Sequence, residues 1–236
     1  MAKVKYGGGI QDIRGSIAGQ VHSRNTFGNY IRQKVSPVQP RTSRQLEIRT
    51  LFSELSRRYS NQLTDAQQEA WRQAAASAPV RDVFGDSITL TGINLYARLN
   101  ALRLLQGLTP LDDPPPVEEV PGLDSLTLTW DSTTATLEVG FAPTPVPTGL
   151  SLFIWATEPL NPGVAFVSPK LRLLTVLPAG TESPADITAQ YVARYGAITL
   201  GKRIYVAAEL VSENGWKGQR SLANARIIES PPPPEL

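Results

Sequence analysis

Residues 203–228 read RIYVAAELVSENGWKGQRSLANARII. An apolar, β-branched run closes on Asn214-Gly215, and a second alternating run, SLANARII (221–228), follows. Asn-Gly supplies the positive backbone angles that a tight reversal needs, so the stretch predicts two antiparallel strands joined by a hairpin turn. The same signature recurs upstream. LTLTW (126–130) and TATLEVGF (134–141) alternate around a turn at Asp131-Ser132, LSLFIWAT (150–157) is a stronger apolar run, and Leu171 to Leu177 makes a further strand. Six strands at such short spacing predict an antiparallel sandwich over 123–229. One helix interrupts them: Ser183 is placed as its cap, Pro184 at its first position, and Ile187, Tyr191 and Tyr195 on one face. Residues 230–236 read as a Pro-rich tail of polyproline character.

Ahead of the strands lies LDDPPPVEEVPG (111–122), with four prolines and four acids. It reads as a semi-rigid linker and a domain boundary. Residues 41–110 carry a helical period instead. Thr42 and Gln45 have the spacing of a capping box, followed by Ile48, Leu51, Phe52, Leu55 and Tyr59 on one face. Thr64 and Gln67 repeat the box, with Ala70, Trp71, Ala74 and Ala75 as the buried stripe and Leu63 facing a polar Gln68 where a staple partner belongs. A third helix, GINLYARLNALRLLQG (92–107), aligns Leu95, Leu99, Leu102 and Leu105 and ends at Gly107.

Residues 1–40 have no helical repeat. Eight cations against Asp12 leave the first 45 residues at +7, while the whole chain is only +2, so residues 46–236 carry −5. Ile17, Gly19, Val21 and Ser23 are expected on one face of a strand. Ile31, Gln33 and Val35 are expected on one face of another, opposite Tyr30, Arg32 and Lys34. The two make a loose hairpin around Asn25, Gly28 and Asn29, which a two-stranded piece cannot sustain alone in water. This extended basic arm is therefore expected to add to another sheet and order on a partner. Its candidate contact residues are Arg14, Arg24, Phe27, Tyr30, Arg32, Lys34, Arg41 and Arg44. Trp216, beside Asn214-Gly215, is the one tryptophan expected at an exposed hairpin tip.

The residues speak against catalysis. Cysteine is absent and His22 is the lone histidine, so a zinc site or a Ser/His/Asp triad lacks its parts, and no G-x-S-x-G surrounds any serine. Gly7-Gly8-Gly9 precedes no Lys-Ser/Thr pair. Asp112-Asp113 and Glu118-Glu119 sit among prolines as a solvated charge cluster rather than as acid–base pairs. No cofactor is expected. No run approaches the ~18 apolar residues of a membrane span, and MAKVKYGGG lacks the apolar region of a secretory signal.

Three blocks in order carry a resemblance: GSIAGQVHSRNTFGNYIRQKVSPVQPRTSRQ (15–45), LTDAQQEAWRQAA (63–75) and the 92–107 helix. Residues of about 10–110 resemble a family of uncharacterised structural proteins of tailed phages and prophages. The rear resembles a fibronectin-type-III or other immunoglobulin-like sandwich, with Trp130 in an early strand and Tyr205 in a late one; the helix at 184–195 departs from that pattern. The expected fold class is α+β: an extended N-terminal β arm, a small helical unit and a C-terminal antiparallel sandwich with one inserted helix. The resemblance implies a virion structural protein made in the host bacterial cytoplasm, a capsid cement or decoration protein ahead of a tail or head–tail connector component. Its partners would be other virion proteins and copies of itself. The basic arm also admits a nucleic-acid-binding accessory role, for which the sequence shows no reading motif.

Overall fold

Ala18 and Gly19 hold φ of 46° and 78°. Two consecutive positive values are what a two-residue hairpin turn requires, and Gly19 adopts the second without steric cost. The structure is a computed structural model and describes residues 2–10, 12–25, 27–36, 38–39, 41–78, 80–81 and 84–228; the Pro-rich tail at 230–236 lies outside the described residues. The chain divides into two compact units, Met1–Leu95 and Tyr96–Leu236.

In the first unit β1 (Ala2–Lys3), β2 (Gly15–Ile17), β3 (Gln20–Asn25) and β4 (Gly28–Gln33) form one antiparallel sheet in the order β1-β4-β3-β2. The turn at Ala18-Gly19 pairs Ile17 with Gln20, while Val21 pairs with Arg32. Ile17 and Val21 therefore lie on opposite faces, and the expected single strand through Gly19 is two. The pairing of β3 with β4 and the separation of Ile31 from Tyr30 and Arg32 follow the expectation. The arm is not an extended hairpin awaiting a foreign sheet, because β1 and β2 complete the sheet from its own residues.

Both capping boxes form. Thr42 accepts from the Gln45 amide and Gln45 from the Thr42 amide at the start of α1 (Ser43–Asn61), and Thr64 and Gln67 do the same for α2 (Asp65–Ser77). Only the C-terminal half of the α1 stripe is buried: Leu55 and Tyr59 are, while Phe52 is 46% exposed. On α2, Trp71 and Ala75 are fully buried. The polar staple position is accommodated, since Gln68 Nε2 donates to the Tyr59 carbonyl at 3.1 Å and the Tyr59 hydroxyl donates to the Gln68 carbonyl at 3.3 Å. A short pair, β5 (Val80–Arg81) and β6 (Ser87–Ile88), leads to α3 (Gly92–Leu105). A Cβ on Gly92 would stand 2.8 Å from the Tyr59 hydroxyl and 3.0 Å from the Arg72 amide, so glycine is what lets the first turn of α3 approach α1 and α2.

The chain passes into the second unit within α3. The buried stripe there is Tyr96, Leu99, Asn100 and Arg103, not the expected row through Leu102 and Leu105, which are half-buried. The polar members are satisfied. Asn100 Oδ1 accepts the Leu111 amide at 2.6 Å and Nδ2 donates to the Leu111 carbonyl at 3.3 Å. Arg103 Nε donates to the Thr109 carbonyl at 2.9 Å, and its guanidinium also donates to the Glu213 carbonyl. The helix ends as Gly107 predicts: φ is 79°, with Leu108 N–H bonded to Arg103 O and Gly107 N–H to Leu104 O.

The expected six strands appear as β7 (Ser125–Asp131), β8 (Thr136–Ala142), β9 (Leu150–Ala156), β10 (Arg172–Leu177), β12 (Arg203–Ser212) and β13 (Ser221–Arg226), joined by a two-residue β11 (Ala185–Asp186). Two antiparallel sheets, β10-β9-β12-β13 and β11-β8-β7, form a sandwich-like arrangement. Their alternating residues make the core, among them Leu137, Val139, Leu152, Ile154, Val206 and Leu210. Together with the helices this is an α+β architecture with a helix inserted in the sandwich, α4 (Thr188–Tyr195).

That helix starts later than expected. Ser183 and Pro184 are not its cap and first position, because Ala185 and Asp186 pair with Val139 and Glu138 as β11. Ile187 and Tyr191 are buried on the expected face. The proline-rich segment also differs from a linker. Leu111 is held by Asn100, and the Trp216 indole donates to the Pro116 carbonyl at 2.8 Å. The Asn214 amide donates to Glu118. Residues 111–122 therefore belong to the second unit, and the division falls at Leu95–Tyr96.

Candidate interaction surface

Of the singled-out cations, Arg24 and Arg32 lie in strands of the N-terminal sheet, and its register distributes them. Lys3 pairs with Tyr30, and Tyr30 with Ser23; Arg32, two residues on, shares their face. Arg24 pairs with Asn29 and lies on the other face with His22 and Ile31. Lys34 follows β4, its amide donating to the Gly19 carbonyl at 2.7 Å. Phe27 sits in the β3–β4 turn, where its amide donates to Asn25 Oδ1 at 3.0 Å. Arg41 precedes the α1 cap with φ of 52°.

Two cations have local partners. Arg14 Nε reaches Asp12 Oδ2 at 2.9 Å and Arg44 reaches Glu47 Oε2 at 2.8 Å. Both pairs are solvent-exposed, so each is worth about 0–1 kcal/mol. The sheet thus brings Tyr30 and Arg32 together with Lys3, sets Arg24 apart, and leaves Arg14 and Arg44 paired with acids.

No residue of this segment, among those from 3 to 39 whose burial is described, is fully buried. Ile17 is 56% exposed, Val35 60% and Val38 90%. Val21, Tyr30 and Ile31 are half-buried. Burial stabilises by about 25 cal/mol per Å² of apolar surface, so the sheet gains only part of what its apolar side chains would give under a covering surface. His22 has a structural contact, its Nδ1 lying 3.3 Å from the Tyr6 hydroxyl. Among the described residues no three His, Cys, Asp or Glu side chains gather as a metal site. Trp216, expected at an exposed tip, is half-buried with its indole N–H engaged by Pro116.

One cluster escaped the sequence reading. Glu209 is only 2% exposed in β12. Arg220 meets both its oxygens, at 3.1 and 3.3 Å, and Lys217 stands 3.6 Å away. The guanidinium lies 4.1 Å over the Trp155 ring. The signal in the sequence was a single acid inside the apolar run IYVAAELV. With both oxygens engaged by cations, the carboxylate serves as a structural acceptor rather than as a base.

On the opposite side α4 is lashed to the sheets. The Tyr191 hydroxyl donates to Thr157 O at 3.0 Å and the Tyr195 hydroxyl to Ala156 O at 2.8 Å. Burial pushes both phenols above their ordinary pKa, so neither ionises near neutral pH. Asp186 is held below the usual carboxylate range by the hydroxyl and then the amide of Thr188.

No family model matches this chain, and no curated protein matches it. Among solved structures, a Fn3-like protein from Clostridium thermocellum is similar over 45% of this chain and 92% of its own, with 13% identity and a TM-score of 0.30.

Proposed function

We propose that the chain is a structural component of a tailed-phage virion, a capsid cement or decoration protein anchored by its N-terminal sheet and helices. One observation carries the reading: a basic four-stranded sheet, with no fully buried side chain among those whose burial is described, precedes a helix whose apolar stripe is buried at one end only. A surface of that kind gains most of its stabilisation from what covers it. The ordered sequence blocks at 15–45, 63–75 and 92–107 tie the reading to phage particles. Binding is the whole mechanism, by apolar docking and by charge complementarity between the +7 front and acidic neighbours. A nucleic-acid role is less well served, because Arg24 and Arg32 lie on opposite faces of the sheet and phosphate neutralisation needs cations on one.

Deleting residues 1–40 tests the proposal. The sandwich should unfold at its usual temperature while the truncated chain fails to enter particles. Normal incorporation of the truncated chain contradicts it.

A further inference from the structure

Strand β12 runs from Arg203 to Ser212, and its two ends differ in shape and charge. Near Arg203 the loop between β9 and β10 is fixed at several points. Leu160 and Arg203 exchange backbone bonds of 2.9 and 2.8 Å, the Tyr205 hydroxyl donates to Val164 O at 2.8 Å, and Lys202 Nζ reaches Asn161 Oδ1 at 2.7 Å. Leu160, Val167 and Tyr205 pack as a small core of their own. From this fixed loop Phe166 stands 76% exposed. An aromatic on a pre-ordered loop meets a partner with little ordering cost. The same end carries Lys170, Arg172, Lys202 and Arg203 against one acid, Glu158, which Lys170 Nζ meets at 3.4 Å in an exposed pair that a partner carboxylate can replace.

Beyond Ser212 the picture inverts. The pinned segment 118–122 and the hairpin residues 217–219 enclose an open groove of about 650 Å³. A Cβ on Gly218 would run into the Pro121 carbonyl, so the two walls meet at the groove floor. This end carries Asp112, Asp113, Glu118, Glu119 and Glu213 against Lys217, the buried Arg103 and Arg220, the last bound to Glu209. At ~3.3 Å per residue, the basic knob and the acidic groove stand about 30 Å apart along the strand.

We infer that the sandwich associates head to tail with a second copy of this chain, Phe166 and Lys170 of one copy entering the 118–122 groove of the next. Charge complementarity selects the partner: the knob has four cations to one acid, the groove end five acids to three cations, one of which is engaged by the buried Glu209. Because the two contact surfaces differ, the association is heterologous and propagates as a ring or filament rather than closing as a two-fold dimer. The inference concerns the sandwich and stands independently of how residues 1–40 are used.

Sedimentation velocity on the full chain, as a concentration series at low salt, tests it. The sedimentation coefficient should rise with concentration. Phe166→Ala and Glu119→Lys should each weaken self-association at least about tenfold, without moving the unfolding temperature. Lys170→Glu should also fail to self-associate, yet an equimolar mixture with Glu119→Lys should restore association, since the knob of each variant then meets a groove of opposite charge on the other. A monomer at every concentration overturns the inference. So does self-association indifferent to both Phe166→Ala and Glu119→Lys, or binding of the monomeric chain to anionic-lipid vesicles through Phe166.

Discussion

The Thr188 hydroxyl accepts the amide of buried Leu137 at 2.7 Å, and together with the Ile187 amide, which donates to the Leu137 carbonyl at 3.0 Å, it fixes the first turn of α4 to the edge of β8. Ser183 does the same five residues earlier, its hydroxyl accepting the Phe141 amide at 2.8 Å. Between them β11 supplies only a two-residue pairing. Side-chain oxygens thus complete a ladder that the short strand leaves unfinished, and β8 presents no open amides to a neighbour at these two positions.

Replacing Thr188 by Val keeps the shape and removes the acceptor. The Leu137 amide would then be buried without a partner, at a cost of about 1–3 kcal/mol. Thermal unfolding should show a clear drop for Thr188→Val, and a similar one for Ser183→Ala.

Asp186 couples the same turn to pH. Its Oδ1 accepts from the Thr188 amide at 2.8 Å and from the hydroxyl at 2.5 Å, which holds its folded pKa below the unfolded value near 3.9. A depressed folded pKa gives stability that is full above the unfolded pKa and is lost as pH falls through the folded one. Unfolding temperatures between pH 6 and pH 3 should therefore fall less steeply in Asp186→Asn than in the natural chain.

The Glu209 cluster predicts unequal losses. Removing Arg220 leaves a buried carboxylate with only Lys217 at 3.6 Å. Because Arg220 itself is 40% exposed, the cost should be about 2–3 kcal/mol, at or below the lower end for a broken buried pair. Lys217→Ala should cost about 1 kcal/mol or less. Urea denaturation of the two variants separates them.

Gly215 combines a φ of 86° with a close approach to the Leu99 backbone. Gly180 has a φ of 82° with open space around it. Gly180→Ala should therefore cost only the backbone strain, about 1 kcal/mol, whereas Gly215→Ala must also displace α3 and should cost roughly twice that or more. Unfolding midpoints in urea give the comparison.

What could be read from the sequence was what neighbours in the chain decide. Thr42 with Gln45 and Thr64 with Gln67 cap their helices because both partners lie within one turn. The six long strands announce themselves by alternation and apolar runs. Where distant residues decide, the reading failed. Asn100 and Arg103 look like interruptions of a leucine stripe until Leu111 and Glu213 arrive to satisfy them. The prolines at 114–116 look like a spacer until Trp216, a hundred positions later, bonds Pro116. Ala18-Gly19 is a weaker turn signal than Asn-Gly, so the pattern alone reads as one strand there, and Ser183-Pro184 imitates a helix start that β11 pre-empts. In the contact surface, Arg24 and Arg32 are both candidate contact residues, and the register puts them on opposite faces.

Amide hydrogen exchange of residues 20–25 and 28–33, measured in the free chain and in assembled particles, tests the central claim most directly. A sheet whose side chains are at most half-buried should exchange rapidly when free and gain strong protection once a neighbour covers it. Equal protection in both states would show that the sheet is stable on its own account and is not the anchor.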